Sequence, residues 1–454
     1  MPITTERGKI AHLLRRAGFG PSAAELDAAV ARGRAAVLDE LLNPERIVDP
    51  AETLFPSSDV DYARPQTIPI WWLFRMTATQ RPLQEKLTLF WHGHLTSALS
   101  RVGQLRFTMV NQNELYRQLA LGSFRELMLA AAKDPAMIQW LDNNTNRKGK
   151  PNENFARELF ELFTLGRDRG YTEEDIREAA RAFTGWFQRD GVFVFNAGQH
   201  DNDRKTVFGK TGNWDGTHVV DMAVEHASTG PYLARTLWEF FVYRNPSDAV
   251  VNEIAAVYYQ TGYDMRAVLR AIFTHPEFYA ERAYHALVKS PAEIMAGLLR
   301  GLEAQIDNAL EPPQLVQRAN QINGAMQGMG QVLFNPPDVN GWPGGEDWVS
   351  TTGLITRYNF AALAARDGYT GIKTDVAGLL ARRNLTTAPE IVDYFTDLML
   401  DGDLTPGQRQ VLLDYLLKQD NGTRGTFTLN EATINKKVRG LVYLIATMPQ
   451  YQLA

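Results

Sequence analysis

A mainly α fold, a multi-helix bundle with one small two-stranded β insertion at about residues 190–210, is what three features of this sequence predict. Apolar residues recur at three- and four-residue spacing through most of the 454 residues, the period of a helix with one buried face. Only one stretch breaks that period with short apolar runs around a polar loop. The chain is 44% hydrophobic and 22% charged, the balance of a globular protein that buries a core without crosslinks.

In chain order, the helical period predicts helices over Ala11–Ala17, Ala23–Leu42, Pro82–Ser97, Gln104–Leu121, Phe124–Lys133 and Glu153–Gly166, then Glu173–Thr184, Val219–Ala227 and Pro231–Tyr243. Further helices are predicted at Ser247–Gln260, Asp264–Phe273, Pro291–Leu302 and Pro313–Met326. The β exception is Val192-Phe193-Val194-Phe195 and Lys205-Thr206-Val207-Phe208, read as two strands flanking the polar run Asn196–Asp203. Phe334–Gly345 is too rich in Gly and Pro for regular structure, and a loop of that length tends to be functional. Beyond it the period returns at Thr374–Arg383, Ala388–Leu400, Thr405–Lys418 and Asn430–Thr447. Thr405-Pro406-Gly407-Gln408 is a start signal, with threonine as cap, proline at the first helical position and glutamine at the third. The expected organisation is a main helical domain over 1–365 carrying the site and a C-terminal helical layer over 366–454, with a soft boundary that leaves both in one domain as an alternative.

Composition narrows the function. A formal net charge of −5 gives no basic footprint, so nucleic acid is not expected as a partner. No apolar run is long enough to span a bilayer, and the start MPITTERGKIAHLLRR lacks an apolar signal core. The chain is expected in the cytoplasm unless a leader has been removed. With no cysteine, thiolate zinc sites, thiol nucleophiles, iron–sulfur clusters and disulfides are excluded, and any metal must be held by the 8 histidines and by oxygen donors. There is no phosphate loop, dinucleotide fingerprint, Gly-x-Ser-x-Gly elbow or His-Glu-x-x-His helix, so no nucleotide cofactor is expected.

Three segments concentrate reactive side chains. At about 100° per residue, the helix through Glu153–Gly166 puts Glu153, Asn154, Arg157, Glu158, Glu161 and Thr164 on one arc and Phe155, Ala156, Leu159, Phe160, Leu162 and Phe163 on the other. Glutamates one turn apart suit metal ligation or acid/base work; an amphipathic helix with a solvated charged face has the same pattern. In Phe90-Trp91-His92-Gly93-His94 the two histidines point about 200° apart on an ideal helix. His94 then shares the buried face with Leu87, Phe90, Trp91 and Ala98 and is the better candidate for an interior role, as a ligand or as a core histidine. His200-Asp201, with Lys205 behind, suits a loop ligand and its neighbour, or an ordinary polar turn. Together these give nitrogen and carboxylate donors suited to Zn, Fe or Mn.

Several uncommon motifs stand in one order: Leu13-Leu14-Arg15-Arg16-Ala17-Gly18-Phe19-Gly20-Pro21, Phe90-Trp91-His92-Gly93-His94, Asn152-Glu153-Asn154-Phe155-Ala156-Arg157-Glu158-Leu159, Tyr171-Thr172-Glu173-Glu174-Asp175, Phe183-Thr184-Gly185-Trp186, His200-Asp201, Asn340-Gly341-Trp342-Pro343-Gly344-Gly345 and Arg357-Tyr358-Asn359-Phe360. In these the chain resembles, nearly end to end, the bacterial family catalogued as domain of unknown function 1800. The resemblance implies a bacterial protein, often exported to the periplasm or beyond, and a sulfatase-like exported partner protein that could carry out a leaderless chain.

The leading expectation is a metal-dependent hydrolase of an extracellular polymer such as a polysaccharide. His92, His94 and His200 are its expected nitrogen ligands and Glu158 and Glu161 its carboxylate ligands or base. Arg157 and Lys205 would neutralise negative charge, Asp201 would orient His200, and Glu153, Asn154 and Trp342 would line the substrate cleft, the indole facing a sugar ring. The alternatives are an iron-dependent oxygenase or oxidoreductase, a metal-free glycosidase built on a carboxylate pair, and a non-catalytic scaffold for an exported partner.

Overall fold

The structure, a computed structural model, describes residues 2–419 and 421–454. The structure is 61% helical and every sheet among the described residues is two-stranded, so the protein is mainly α. It divides into two compact units: the chain up to Pro82 with Tyr279–Leu333 and Pro343–Ala454, and Leu83–Phe278 with Phe334–Trp342.

In the first unit the expected helix over Ala23–Leu42 is two helices, Ala23–Arg32 and Arg34–Leu42. Gly33 separates them at φ +83, a conformation that side chains with a Cβ adopt only under strain. A helix over Thr67–Ala78 has no counterpart in the expectations, because nearly all its residues, Thr67 to Thr77, are buried and a helix buried all round shows no amphipathic period. Buried guanidinium groups close the chain on itself: Arg16 donates to the carbonyls of Ala283 and Ala454, and Arg357 to that of Lys289. Residues on both sides of position 365 lie in this unit, where Arg439 donates to Ala365 O at 2.7 Å and to Asp367 Oδ2 at 2.8 Å. The helix Pro406–Leu417 starts on the expected capping box of Thr405 and Gln408.

The second unit packs Pro82–His94, Phe107–Leu119, Phe124–Lys133, Gly216–Glu225, Thr229–Phe241, Asp248–Gln260 and Met265–Thr274 around buried Trp91, Tyr116, Phe124, Trp238 and Tyr258. Its β structure is two separate hairpins. Trp186–Arg189 pairs with Val192–Phe195, and Lys205–Val207 with Lys210–Gly212. The two runs expected to flank one loop therefore belong to different hairpins, because each has its own tight turn. Asp190-Gly191 and Phe208-Gly209 both take positive φ, the conformation of a two-residue turn that matches strand twist.

The Gly/Pro segment Phe334–Trp342 is pinned to the end of the Pro82–His94 helix. Leu99 N donates to Phe334 O at 2.8 Å, and Thr96 Oγ1 to Val339 O at 3.0 Å. Gly341, at φ +84, sits so close that an added Cβ would lie 2.4 Å from Gly93 O, so that position admits only glycine.

Candidate functional site

The segment with the densest charge is not one α-helix. Asn154–Glu158 is α-helical and Leu159–Thr164 winds as a π-helix, a wider turn that occurs mostly as a single turn within α-helices and frequently at functional sites. The change of pitch rotates Thr164 off the expected polar arc: it is buried, and its hydroxyl bonds Leu159 O, five residues back. The widened turn is held from outside, with Tyr232 Oη donating to Leu162 O at 2.9 Å and His94 Nε2 to Phe163 O at 3.0 Å. A carbonyl only accepts, so Nε2 carries the His94 proton and Nδ1 the lone pair.

On the polar side Arg157 is a hub. It donates to Glu161 Oε1 at 3.2 Å and Glu153 Oε2 at 3.1 Å, and forks onto both oxygens of Glu173 at 2.9 and 2.8 Å. The bidentate bond to Glu173 is the main reason that its pKa is raised and Glu173's lowered. Glu161 also lies 3.8 Å from Arg167 Nε, so it stands between two cations. Arg167 in turn donates to Asn340 Oδ1 at 2.8 Å, which brings the Gly/Pro segment to this cluster.

Glu158 differs from every carboxylate around it. Among the described residues no hydrogen bond or ion pair reaches it, and it is only partly buried. Burial first, and the charge of Glu161 second, hold its carboxyl above the usual value against the pull of Arg167 and Arg157. Two glutamates one turn apart thus have unlike surroundings, one uncommitted with its pKa raised, the other flanked by guanidinium groups.

The histidines are placed differently from expectation. His92 is the interior one, 1% exposed, its ring centre 5.4 Å from those of both Phe334 and Trp342. His94 is only partly buried and stacks on Phe90. The reversal follows from the segment Phe334–Trp342, which covers the helix face that sequence periodicity reads as solvated. Burial lowers the pKa of His92 to about 3 and that of His94 to about 4, the latter partly offset by the Phe163 carbonyl, so both rings are neutral near pH 7.

His200 is buried against the Phe183-Thr184-Gly185-Trp186 motif, where Nδ1 donates to Thr184 O at 2.7 Å. Asp201 does not meet that ring. Its carboxylate accepts from Arg181 Nε at 2.8 Å and Asp203 N at 2.9 Å; burial raises its pKa, and these bonds and nearby cations pull it lower still, leaving it depressed. Lys205 is 1% exposed and spends its ammonium on the carbonyls of Asp201 at 2.5 Å and Asp203 at 3.0 Å. It therefore points into its own loop rather than toward an anionic substrate. Among the described residues no three His, Asp or Glu side chains gather so as to hold a metal ion; His92, His94, His200, Glu158 and Glu161 are not brought into one such group.

A family model described as "Protein of unknown function (DUF1800)" matches residues 12–453. The chain belongs to this family. No curated protein and no solved structure matches it. In this DUF1800 chain the geometry joins Glu153, Arg157 and Glu161 to Glu173 and Arg167, two residues outside the predicted set. Asn154, exposed, is the first residue of the helix, and its N–H donates to the side-chain oxygen Asn152 Oδ1 at 2.9 Å. Trp342 is partly exposed beside His92, with no hydrogen-bond partner for its buried Nε1 among the described residues. The missed members were legible only in part. Glu173 follows the capping threonine Thr172, which marks a helix start but not its neighbour across space.

Proposed function

We propose that the protein is a metal-free hydrolase that cleaves glycosidic bonds in an extracellular polysaccharide by acid/base chemistry, with Glu158 as general acid and Glu161 as the carboxylate base. The observation that carries this reading is the unlike setting of two glutamates a turn apart: Glu158 unbonded and raised, Glu161 flanked by Arg157 and Arg167. Glu158 gives its proton to the oxygen that leaves the sugar. Water loses a proton to Glu161 as its oxygen bonds the anomeric carbon, so charge and protons balance over the step. Arg167, which approaches Glu161 and bonds Asn340, and the part-exposed indole of Trp342 two residues further on are candidate sugar contacts.

The test is release of reducing ends from a polysaccharide panel by the wild type, Glu158→Gln and Glu161→Gln. Each variant is expected to lose at least about a hundredfold in kcat with its circular dichroism unchanged. Equal activity in Glu158→Gln and wild type overturns the assignment. A metal-dependent form of the same hydrolysis would require an ion to draw in His92, His94 or His200. Elemental analysis of the reconstituted protein decides that version, and less than about 0.1 equivalent of Zn, Fe or Mn removes it.

The scaffold reading rests on the four-fold engagement of Arg157. It predicts that loss of Arg157, not of Glu158, is what disables the protein. Co-purification of a sulfatase-like exported partner with the wild type and not with Arg157→Met would support it.

A further inference from the structure

The first unit holds a cavity of about 510 Å³ between the helices Ala23–Arg32 and Arg34–Leu42, residues 80–82 and Arg300, within the usual size for a small-molecule site. Its wall is aliphatic, from Leu14, Pro21, Ala28, Val37 and Leu41, and no aromatic side chain lines it. The motif around Gly20-Pro21 is part of that wall: Arg300 Nε donates to Gly20 O at 3.2 Å, and its other nitrogens to Thr77 O, Thr79 O and Glu25 Oε1. Arg300 is thus fully engaged, as is Arg81, which bonds Ile47 O and Glu52.

Two more arginines line the cavity and are not closed. Arg32 meets Glu40 through Nε at 3.1 Å, and Arg46 meets Asp39 through Nη1 at 3.1 Å. The remaining guanidinium nitrogens of both have no partner among the described residues. Four arginines stand against two glutamates, Glu25 and Glu40, in the lining, and Glu25 is already bonded to Arg300 and to Ser22 N.

We propose that this cavity binds a medium-chain fatty acid, its alkyl chain on the aliphatic wall and its carboxylate on the open donors of Arg32 and Arg46. A guanidinium fork matches a carboxylate geometrically. Since Glu40 and Asp39 already offset part of the positive charge, a single negative charge is the better match than a dianion. An aliphatic wall without a ring to stack on favours an alkyl chain over a sugar or an aromatic acid.

Isothermal titration of the full chain with dodecanoate, and with dodecyltrimethylammonium as the same tail with opposite charge, tests the proposal. Dodecanoate is expected to saturate one site below about 100 µM, and the cation to bind at least about tenfold more weakly. Arg32→Gln with Arg46→Gln, both at exposed positions, is expected to weaken dodecanoate at least about tenfold. Ala28→Trp, also exposed, fills the cavity and is expected to abolish binding. Equal affinity for the two tails, no binding of dodecanoate up to about 1 mM, or full binding by Ala28→Trp each overturns it. So does binding to anionic phospholipid vesicles with none to free dodecanoate, which would identify a membrane surface as the ligand.

Discussion

The helix carrying Glu158 and the loop from His200 to Lys205 are alike as sequences: each is short, polar, rich in opposite charges and flanked by aromatic residues. In space they differ. The buried charges of the loop are answered locally, Asp201 by Arg181, Arg181 also by Glu178, and Lys205 by two carbonyls of its own turn, while Asp203 and Arg204 face solvent. The helix answers all its charges except one, and that one sits beside a like charge. A polar cluster that satisfies itself is architecture; an uncommitted acid left among satisfied neighbours is available for chemistry.

The sharpest way to break this contrast is to neutralise one carboxylate in each region. Glu158→Gln is expected to lower kcat by about 10²–10⁴ while leaving unfolding free energy within about 0.5 kcal/mol or slightly higher. Asp201→Asn is expected to do the reverse, costing about 1.5–3 kcal/mol because Arg181 loses a charged acceptor in a largely buried setting, with kcat near wild type. Urea unfolding and the reducing-end assay together read both. If Asp201→Asn abolishes activity in a fully folded protein, the loop belongs to the site and the division fails.

Lys205→Met probes the loop alone, with a smaller expected effect of about 1–3 kcal/mol, since the carbonyls of Asp201 and Asp203 lose their buried donor. Activity is expected to survive in what remains folded. A stable variant that has lost substrate affinity would instead restore the role of anion binder that its place behind His200 suggests.

The segments also carry opposite pH signatures. Glu158, raised by burial and by Glu161, holds its proton more tightly folded than unfolded. Its ionised form costs stability at neutral pH, and that cost disappears as pH falls through its raised folded value toward about 4.3. Asp201, depressed on balance by Arg181 despite its burial, stabilises the fold above about 3.9, a contribution lost as pH falls through its lower folded value. Melting curves against pH are therefore expected to place Glu158→Gln at or above wild type near pH 7 and Asp201→Asn below it, all three converging in acid. Curves for the two variants that run parallel to wild type would show that neither group titrates as its surroundings imply.

Much of this architecture is legible in the sequence, and the exceptions share a cause. Amphipathic helices such as Phe124–Lys133 and Met265–Thr274 announce themselves because one face is wet. Thr67–Ala78 does not, having no wet face. The two hairpins were readable only as isolated runs, although Asp190-Gly191 is a turn signal in its own right. In the site, the shared face of Glu153, Arg157, Glu158 and Glu161 follows from helical spacing. That Arg157 would be claimed by Glu173, that Phe334–Trp342 would bury His92 rather than His94, and that Lys205 would fold into its own turn all depend on contacts distant in sequence or on loop geometry.

The π-helical turn yields the smallest and most specific effect. Glu158 is the last α-helical residue and Glu161 lies within the wider turn itself, so the relative aim of the two carboxyls depends on the turn being held open. Tyr232 Oη and His94 Nε2 hold it through the carbonyls of Leu162 and Phe163. Tyr232→Phe removes one of these donors without changing ring volume, and is expected to cost about 0.5–1.5 kcal/mol of stability. If the turn also aims Glu161, kcat should fall several-fold beyond what the unfolded fraction explains, with KM little changed. A variant that loses the stability but keeps kcat would mean that the π-turn merely packs the helix against Tyr232, and that the carboxyl pair is aligned by Arg157 and Arg167 alone.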